Sequence, residues 1–295
     1  MEQRVKFDFE IDFTNGGCLQ GQGFRLDIPG EEISDTDLAD YLIEDLRLLM
    51  VDTVRIFNKE IITEKHNRQP IPTRSDKHSL IDLSHTIEDG LVTYKGLPAP
   101  IICDYLSREK SRENYAPGTE FHIAKIEMIA NTGTYLDCPY HRYPTGKDLS
   151  EVGLEDFTDL DGMVVRVDHH HTLAIGVEFL QGKEIRNQAV LVHTGWYQHW
   201  NTERYYTGHP FITEDAAVFL KDQGAKLVGI DSMNIDDTRG KSRPVHSTLL
   251  AADILIVEHL CNLGQLPDNG FTFNAIPPKF KGVGTFPVRA MARIR

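Results

Sequence analysis

Cysteine is scarce in this chain. Its four residues, Cys18, Cys103, Cys138 and Cys261, lie far apart and form no CxxC pair. That excludes a zinc knuckle or a disulfide framework and leads to the expectation of a reduced, cytoplasmic protein. Long apolar runs are also missing, so no membrane span is expected. The opening "MEQRVKFDFEIDF" carries acids where an export signal needs an apolar core. Cations are outnumbered, with 31 Lys and Arg against 44 Asp and Glu and a net charge of −13. Phosphate backbones need clustered Lys and Arg, so nucleic acid is not an expected partner. Repeats and low-complexity tracts are absent, which leaves an ordinary globular chain. Its 295 residues, 40% hydrophobic, suffice for a large core without covalent staples.

What is present begins with strict alternation. Val5, Phe7, Phe9, Ile11 and Phe13 are separated by charged residues, "TNGG" turns the chain, and Phe24, Leu26 and Ile28 alternate again. This predicts a β-hairpin. Ser34 is the expected N-cap of a following helix carrying Leu38, Leu42, Leu46 and Leu49, and a short strand is expected near Val54 to Ile62. Residues 1–66 thus read as a hairpin–helix extension. Its strand Val5 to Phe13 is expected to offer an amphipathic edge to another subunit or to cap its own domain. Residues 67–78, polar and proline-containing, read as a linker, and 79–295 as the main domain. There, "LIDLS", "FHIAKIEMIA", "GMVVRVD", "AVLVHTG", "AKLVGID" and "DILIVEHL" predict strands, while "TEDAAVFLKDQG" and "HSTLLAAD" predict helices. Several runs are too continuously apolar for a one-sided sheet, so helices and loops should cover both faces.

Reactive side chains concentrate in "NTGTYLDCPYHR", Asn131 to Arg142. Asp137 and His141, four apart around Pro139, can hold a divalent cation, form an acid/base pair, or simply close a hydrogen-bonded turn. His246 opens a short predicted helix and Glu258 ends the next strand, which makes them a plausible remote pair. The run His169, His170, His171 reads as a surface loop, and His193 as a core or pocket-wall residue. His199 shows no ligand spacing. Cys138 has no evident base and reads as a small buried residue. "GKSRP", Gly240 to Pro244, reads as solvated basic surface.

Together these segments resemble the cyclase family of metal-dependent hydrolases, which includes kynurenine formamidases and isatin hydrolases. The family motif is His-x-Gly-Thr-His-x-Asp-x-Pro-x-His. Here Gly133, Thr134, Asp137, Pro139 and His141 match it, while Asn131 and Tyr135 replace its first two histidines. "IDLSHTIEDGLVTYKG", "AVLVHTGW", "AKLVGIDSMNID", the His246–Glu258 spacing and "GVGTFPVRA" resemble further family segments in the same order. The resemblance runs from about Ile81 to the C-terminus.

It implies an α/β fold with a mixed, barrel-like sheet and flanking helices, the swivelling fold of that family. It also implies a homo-oligomer, dimer or tetramer, acting on a small molecule, with aromatic ones among the candidates. Two-metal members bind one ion through the two motif histidines and the Asp, and a second through the Asp, third His and remote pair. A carboxamide and a phenol are poor substitutes for imidazole, so only the second set survives. Asp137, His141, His246 and Glu258 are therefore the expected ligands of at most one divalent metal, Zn or Mn. The expected activity is metal-dependent hydrolysis of a small amide, lactam or ester, with His141 as ligand or base. Asn131 and Tyr135 would donate hydrogen bonds to the developing oxyanion. Tyr94, Trp196 and Ser232 are the expected substrate contacts, with Trp200 and Phe211 as further pocket-wall candidates. Two alternatives stand beside this. One is a metal-free cyclase, dehydratase or isomerase using Tyr135 and His141, and the other is a catalytically degenerate binding protein.

Overall fold

A computed structural model describes residues 2–28, 32–46, 48, 50–64 and 80–295. The linker expected over 67–78 lies outside the described residues. The chain divides into two compact units, Met1–Lys77 and His78–Arg295.

In the first unit, β1 (Glu2–Phe13), β2 (Cys18–Asp27) and β3 (Val51–Glu64) form an antiparallel sheet of order β2-β1-β3, with α1 (Asp35–Asp45) between β2 and β3 in the chain. Period-two alternation puts Val5, Phe7, Phe9 and Ile11 in one cluster with Leu38 and Leu42 of α1. The Ser34 hydroxyl accepts the Asp37 backbone N–H at 3.1 Å, the capping bond that starts α1. One expectation is corrected here. β1 is the central strand, paired with β2 on one side and β3 on the other, so it presents no free edge to another subunit. The reason is the length of β3, which at 14 residues runs along all of β1.

The second unit is a mixed α/β structure built on a curled nine-stranded sheet. In chain order its elements are β4 (Leu80–Asp82), β5 (Ile101–Leu106), α2 (Arg108–Ser111), β6 (Ile123–Glu127), β7 (Tyr135–Asp137), β8 (Leu160–Arg166), β9 (Ala174–Ile175), β10 (Ala189–His193), β11 (Phe211–Ile212), α3 (Glu214–Asp222), β12 (Leu227–Ile230), α4 (Pro244–Leu250), β13 (Leu255–Glu258), β14 (Phe271–Asn274), β15 (Thr285–Pro287) and β16 (Met291–Ile294). The sheet order is β15-β7-β13-β12-β10-β8-β14-β16-β4. β13, β12, β10 and β8 are mutually parallel, and the flanking strands join them antiparallel. No helix among the described residues is long and apolar enough to cross a membrane.

The continuous apolar runs are explained by two cores, one on each face. Val164, Ala189, Leu191, Leu227, Leu255 and Val257 enter one cluster. Their sequence neighbours Met163, Val165, Val190, Val192, Val228 and Ile256 enter the other, beneath α3 and α4. A strand buried on both faces needs an apolar side chain at every position.

Just past β12, Asp231 ties two strand ends together. It is fully buried and accepts hydrogen bonds from the Thr194 backbone (2.8 Å), the Thr194 hydroxyl (2.6 Å) and the Gly195 backbone (2.8 Å). Burial pushes its carboxyl up to about 6, against the pull of these donors. Asp231→Asn keeps the shape but turns an amide donor toward the Gly195 N–H. We expect a loss of about 1–3 kcal/mol, the cost of one buried unsatisfied donor. Chemical denaturation midpoints check this, and an unchanged midpoint would contradict it.

Candidate active site

Strand register assembles the site. β7 lies between β13 and β15, with Tyr135 opposite Glu258, and Asp137 opposite both Ile256 and Thr285. The 3-10 turn Pro139–His141 follows β7 at once and swings His141 back toward Asp137. A Cβ at Gly284 would overlap the His141 backbone, so only glycine lets the chain leading into β15 come this close. His246 arrives from the first turn of α4.

These side chains converge on a small volume. Asp137 is fully buried. Its Oδ1 accepts the Thr285 hydroxyl and lies 3.7 Å from His141 Nδ1. Its Oδ2 is buried without a hydrogen-bond partner, 3.7 Å from His246 Nε2. His246 Nε2 is also 3.7 Å from Glu258 Oε1. One ligand atom each from Asp137, His141 and His246 lie within 4.8 Å of one another.

Hydrogen bonding decides which nitrogen of each imidazole is free. The Thr285 hydroxyl gives its only proton to Asp137, so it must accept from His141 Nδ1, 2.7 Å away. His141 Nε2 is left with its lone pair. In the same way His246 Nδ1 donates to Asp236 Oδ2 at 2.6 Å, leaving Nε2 as the atom facing Asp137 and Glu258. Asp236 also accepts the backbone N–H groups of Val245 (2.8 Å) and His246 (3.1 Å), so it caps α4 as well as orienting the ring.

The electrostatics favour a cation at this point. Burial opposes charge on His246, but the facing carboxylate of Asp137, the hydrogen bond to Asp236 and the nearby Glu258 outweigh it and push the ring up to about 10. Burial pushes Glu258 up to about 7, while His246 pulls it down. Asp137 stays below its ordinary value despite burial, because His141 and His246 face it. A carboxylate-held imidazole beside two buried carboxylates, one with an orphaned oxygen, is a donor set that suits Zn²⁺ or Mn²⁺.

Tyr135 does something different. The Tyr135 hydroxyl donates to Glu258 Oε2 at 2.6 Å. Burial, then the charge of Glu258, pushes this phenol well above its ordinary value. It stays protonated, so its proton belongs to Glu258. His259, on the far side of the phenol, lies 3.3 Å from its oxygen, and its Nδ1 meets the Tyr205 hydroxyl at 2.9 Å.

A cavity of about 510 Å³ opens onto these groups, lined by Tyr94, Asn131, Tyr135, His141, His246 and Glu258 among others. Trp196 and Ser232 do not line it. Trp196 packs against Tyr205 and Met233, with its indole N–H on the Tyr205 carbonyl, and supports Tyr94 and Trp200 from behind. Ser232 is buried and donates to the Pro210 carbonyl at 2.6 Å. Phe211 lies in β11, and the loop of His169 to His171 is largely exposed. Burial pushes the Cys138 thiol up to about 12, so it is no thiolate at neutral pH.

The basic segment Gly240 to Pro244 is solvated as expected, with Gly240, Lys241 and Ser242 exposed, yet it also borders the cavity. Lys241, Ser242, Arg243 and Pro244 all line the cavity, because the chain from Asp236 must return to α4 across its mouth. Asp236, Thr285 and His259 carry no role in the sequence reading. Their signals were faint but present: Asp236 ends "GIDSMNID" and Thr285 sits in "GVGTFPVRA".

Asp236 orients the His246 ring, so for an ion held by His246, Asp236→Asn is expected to weaken affinity by about 10–100-fold, as loss of such an outer partner does. Competition titration against a chromophoric chelator measures it. Wild-type affinity in the variant would show that Asp236 only caps the helix.

A curled mixed sheet with a carboxylate–imidazole cluster on the floor of a substrate-sized cavity defines a small-molecule enzyme of the α/β class. Comparison with known proteins sharpens this, since the Cyclase family model matches residues 81–237, more than half of the chain. The chain belongs to the Cyclase family. It is 27% identical to the kynurenine formamidase of Bacillus cytotoxicus over 214 residues, covering 72% of this chain and 96% of the relative. To that of Geobacillus thermodenitrificans it is 26% identical over 215 residues, with the same coverage. Among solved structures, isatin hydrolase A from Ralstonia solanacearum shares the fold with a TM-score of 0.64, at 19% identity, over 79% of this chain and all of that one. A predicted metal-dependent hydrolase from Bacillus stearothermophilus matches with a TM-score of 0.60 at 25% identity, over 73% of this chain and 98% of that one.

Proposed function

We propose that this protein hydrolyses a non-peptide C–N bond of a small planar amide, such as an aryl formamide or a lactam. The reading places a single divalent ion among Asp137, His246 and Glu258, with His141 as ligand or base. The observation that carries it is the buried, unpartnered Oδ2 of Asp137, facing a His246 Nε2 whose ring is held by Asp236. A buried carboxylate oxygen without a partner is costly, and a cation relieves that cost. The formamidase relatives support the reaction class.

When bound, a divalent ion supplies Lewis acidity, lowering the pKa of a water and polarising the carbonyl. The remaining work falls to the chain. His141 Nε2 accepts the proton of the attacking water and can return it to the leaving nitrogen, while Thr285 holds its other nitrogen. Asn131 reaches the cavity and offers an amide N–H to the carbonyl oxygen. Tyr135 acts through Glu258, whose second oxygen is fixed by the Ile235 backbone N–H at 2.7 Å. Tyr94 provides an aromatic wall for a flat substrate. Assembly as a homo-oligomer belongs to the same reading, and light scattering of the eluting protein measures it.

The test is turnover of formanilide before and after exhaustive chelation and after reloading with Zn²⁺ or Mn²⁺. Activity lost on chelation and restored by metal is expected. Activity that survives chelation would instead favour the metal-free cyclase or isomerase, in which Tyr135 and His141 move protons unaided. Ligand binding without turnover across amides, lactams and esters would favour the degenerate binding protein.

A further inference from the structure

His259 is fully buried beside the site, yet the hydrolysis described above gives it no task. Its backbone lies at φ 57°, a left-handed conformation that costs a residue with a Cβ and persists only where its surroundings hold it. Two contacts do so. The Thr134 hydroxyl donates to the His259 carbonyl at 2.6 Å, and the His259 N–H reaches the Ser232 carbonyl at 3.3 Å. The residue directly follows Glu258, the last of β13, and its ring lies between the phenols of Tyr135 and Tyr205.

The hydrogens in this group run one way. Burial keeps both phenols protonated and the imidazole neutral. Tyr135 gives its proton to Glu258 Oε2, so its oxygen accepts from His259 Nε2, 3.3 Å away. A neutral ring with its hydrogen on Nε2 has a bare Nδ1, which accepts the Tyr205 hydroxyl at 2.9 Å. Each hydrogen therefore points toward Glu258. Tyr205 is itself held, since its carbonyl accepts the Trp196 indole N–H at 3.2 Å and Trp200 packs edge-on against its ring.

The inner end of the chain decides what Glu258 can offer. Its Oε2 is occupied by the phenol, while Oε1 accepts the Ile235 N–H at 2.7 Å and lies 3.7 Å from His246 Nε2. We propose that His259 and Tyr205 are positioning residues which, through Tyr135, keep Oε2 of Glu258 capped and leave Oε1 as the oxygen it offers to a cation. The chain orients and moves no proton. The cation is that of the hydrolase reading above, on which this part rests, whereas the direction of the chain needs no ion.

Tyr205→Phe is the test, because it removes one hydroxyl from the outer end and Tyr205 does not line the cavity. Without that donor the Nε2–H form of His259 loses its support. The Nδ1–H form becomes populated, and its bare Nε2 competes with Glu258 for the phenol's proton. Zn²⁺ affinity, read by competition with a chromophoric chelator, is expected to fall roughly 3–10-fold, the worth of one neutral hydrogen bond. In a Tyr135→Phe background the same substitution is expected to change nothing, because the chain is already cut. An equal loss in both backgrounds, or none in either, would overturn the inference and leave the hydrolase reading intact. Proton–nitrogen spectra of apo protein with isotope-labelled histidine, the His259 signal assigned by its loss in His259→Gln, read the direction itself. Wild type is expected to show the Nε2–H form and Tyr205→Phe a mixture; the Nδ1–H form in wild type would overturn the proposal. If wild type takes up no Zn²⁺, the metal reading fails, and these spectra alone decide whether the chain points at Glu258.

Discussion

Asparagine at Asp137 is expected to reduce metal loading from about one equivalent to less than a tenth, and hydrolysis by more than the ~100-fold that loss of an outer partner costs. The substitution keeps the side chain's volume and its acceptor for the Thr285 hydroxyl, so the site should hold its shape. What it removes is the charge that His141 and His246 both face, and the unpartnered oxygen. An amide nitrogen turned toward His246 Nε2 carries no negative charge and offers a cation no donor atom. Asp137 is the right residue for this test because it is shared: His141, His246 and Thr285 all meet it. Elemental analysis of protein purified without chelator, beside turnover of formanilide, reads both effects. Full metal content in Asp137→Asn would move the ion elsewhere. Full activity without metal would remove the hydrolase mechanism proposed for this site.

Much of the fold was legible because burial leaves its mark on local pattern. The period-two run from Val5 to Phe13 packs one face and becomes β1. The unbroken runs from Met163 to Val165 and from Val190 to Val192 are buried on two faces and become β8 and β10. The length of β3 was less visible, since polar residues such as Asn58 and Lys59 interrupt its apolar pattern, and it decides that β1 is central.

The site shows the same division between local and remote information. Asp137 and His141 are four residues apart, so a turn can bring them together, and they lie 3.7 Å apart. The pairing of Tyr135 with Glu258 depends instead on the register of β7 against β13, which spans 123 residues and has no local signature. Asp236 was hidden for a similar reason, because its role depends on where α4 begins. The basic loop is solvated as its charge suggested, but charge pattern alone cannot show that such a turn also borders a cavity.

The two departures from the motif lead to the other large effect. With Asn131→His and Tyr135→His introduced together, the protein is expected to take up a second metal ion, raising its content from about one equivalent to two. As the chain stands, the phenol is held protonated by burial and gives its hydrogen to Glu258, so it cannot act as an anionic ligand. Two neutral imidazoles would add nitrogen donors next to Asp137, a combination that divalent zinc and manganese accept. The change has a cost, because an imidazole is smaller than the fully buried phenol and leaves Glu258 without its present donor. A lower thermal midpoint in the apo variant, recovered on adding metal, is therefore part of the expected result. The single Asn131→His variant should stay near one equivalent, since a protonated phenol still stands where the second imidazole would be. One equivalent in the double variant as well, with the fold intact, would mean that more than these two side chains keeps the second ion out.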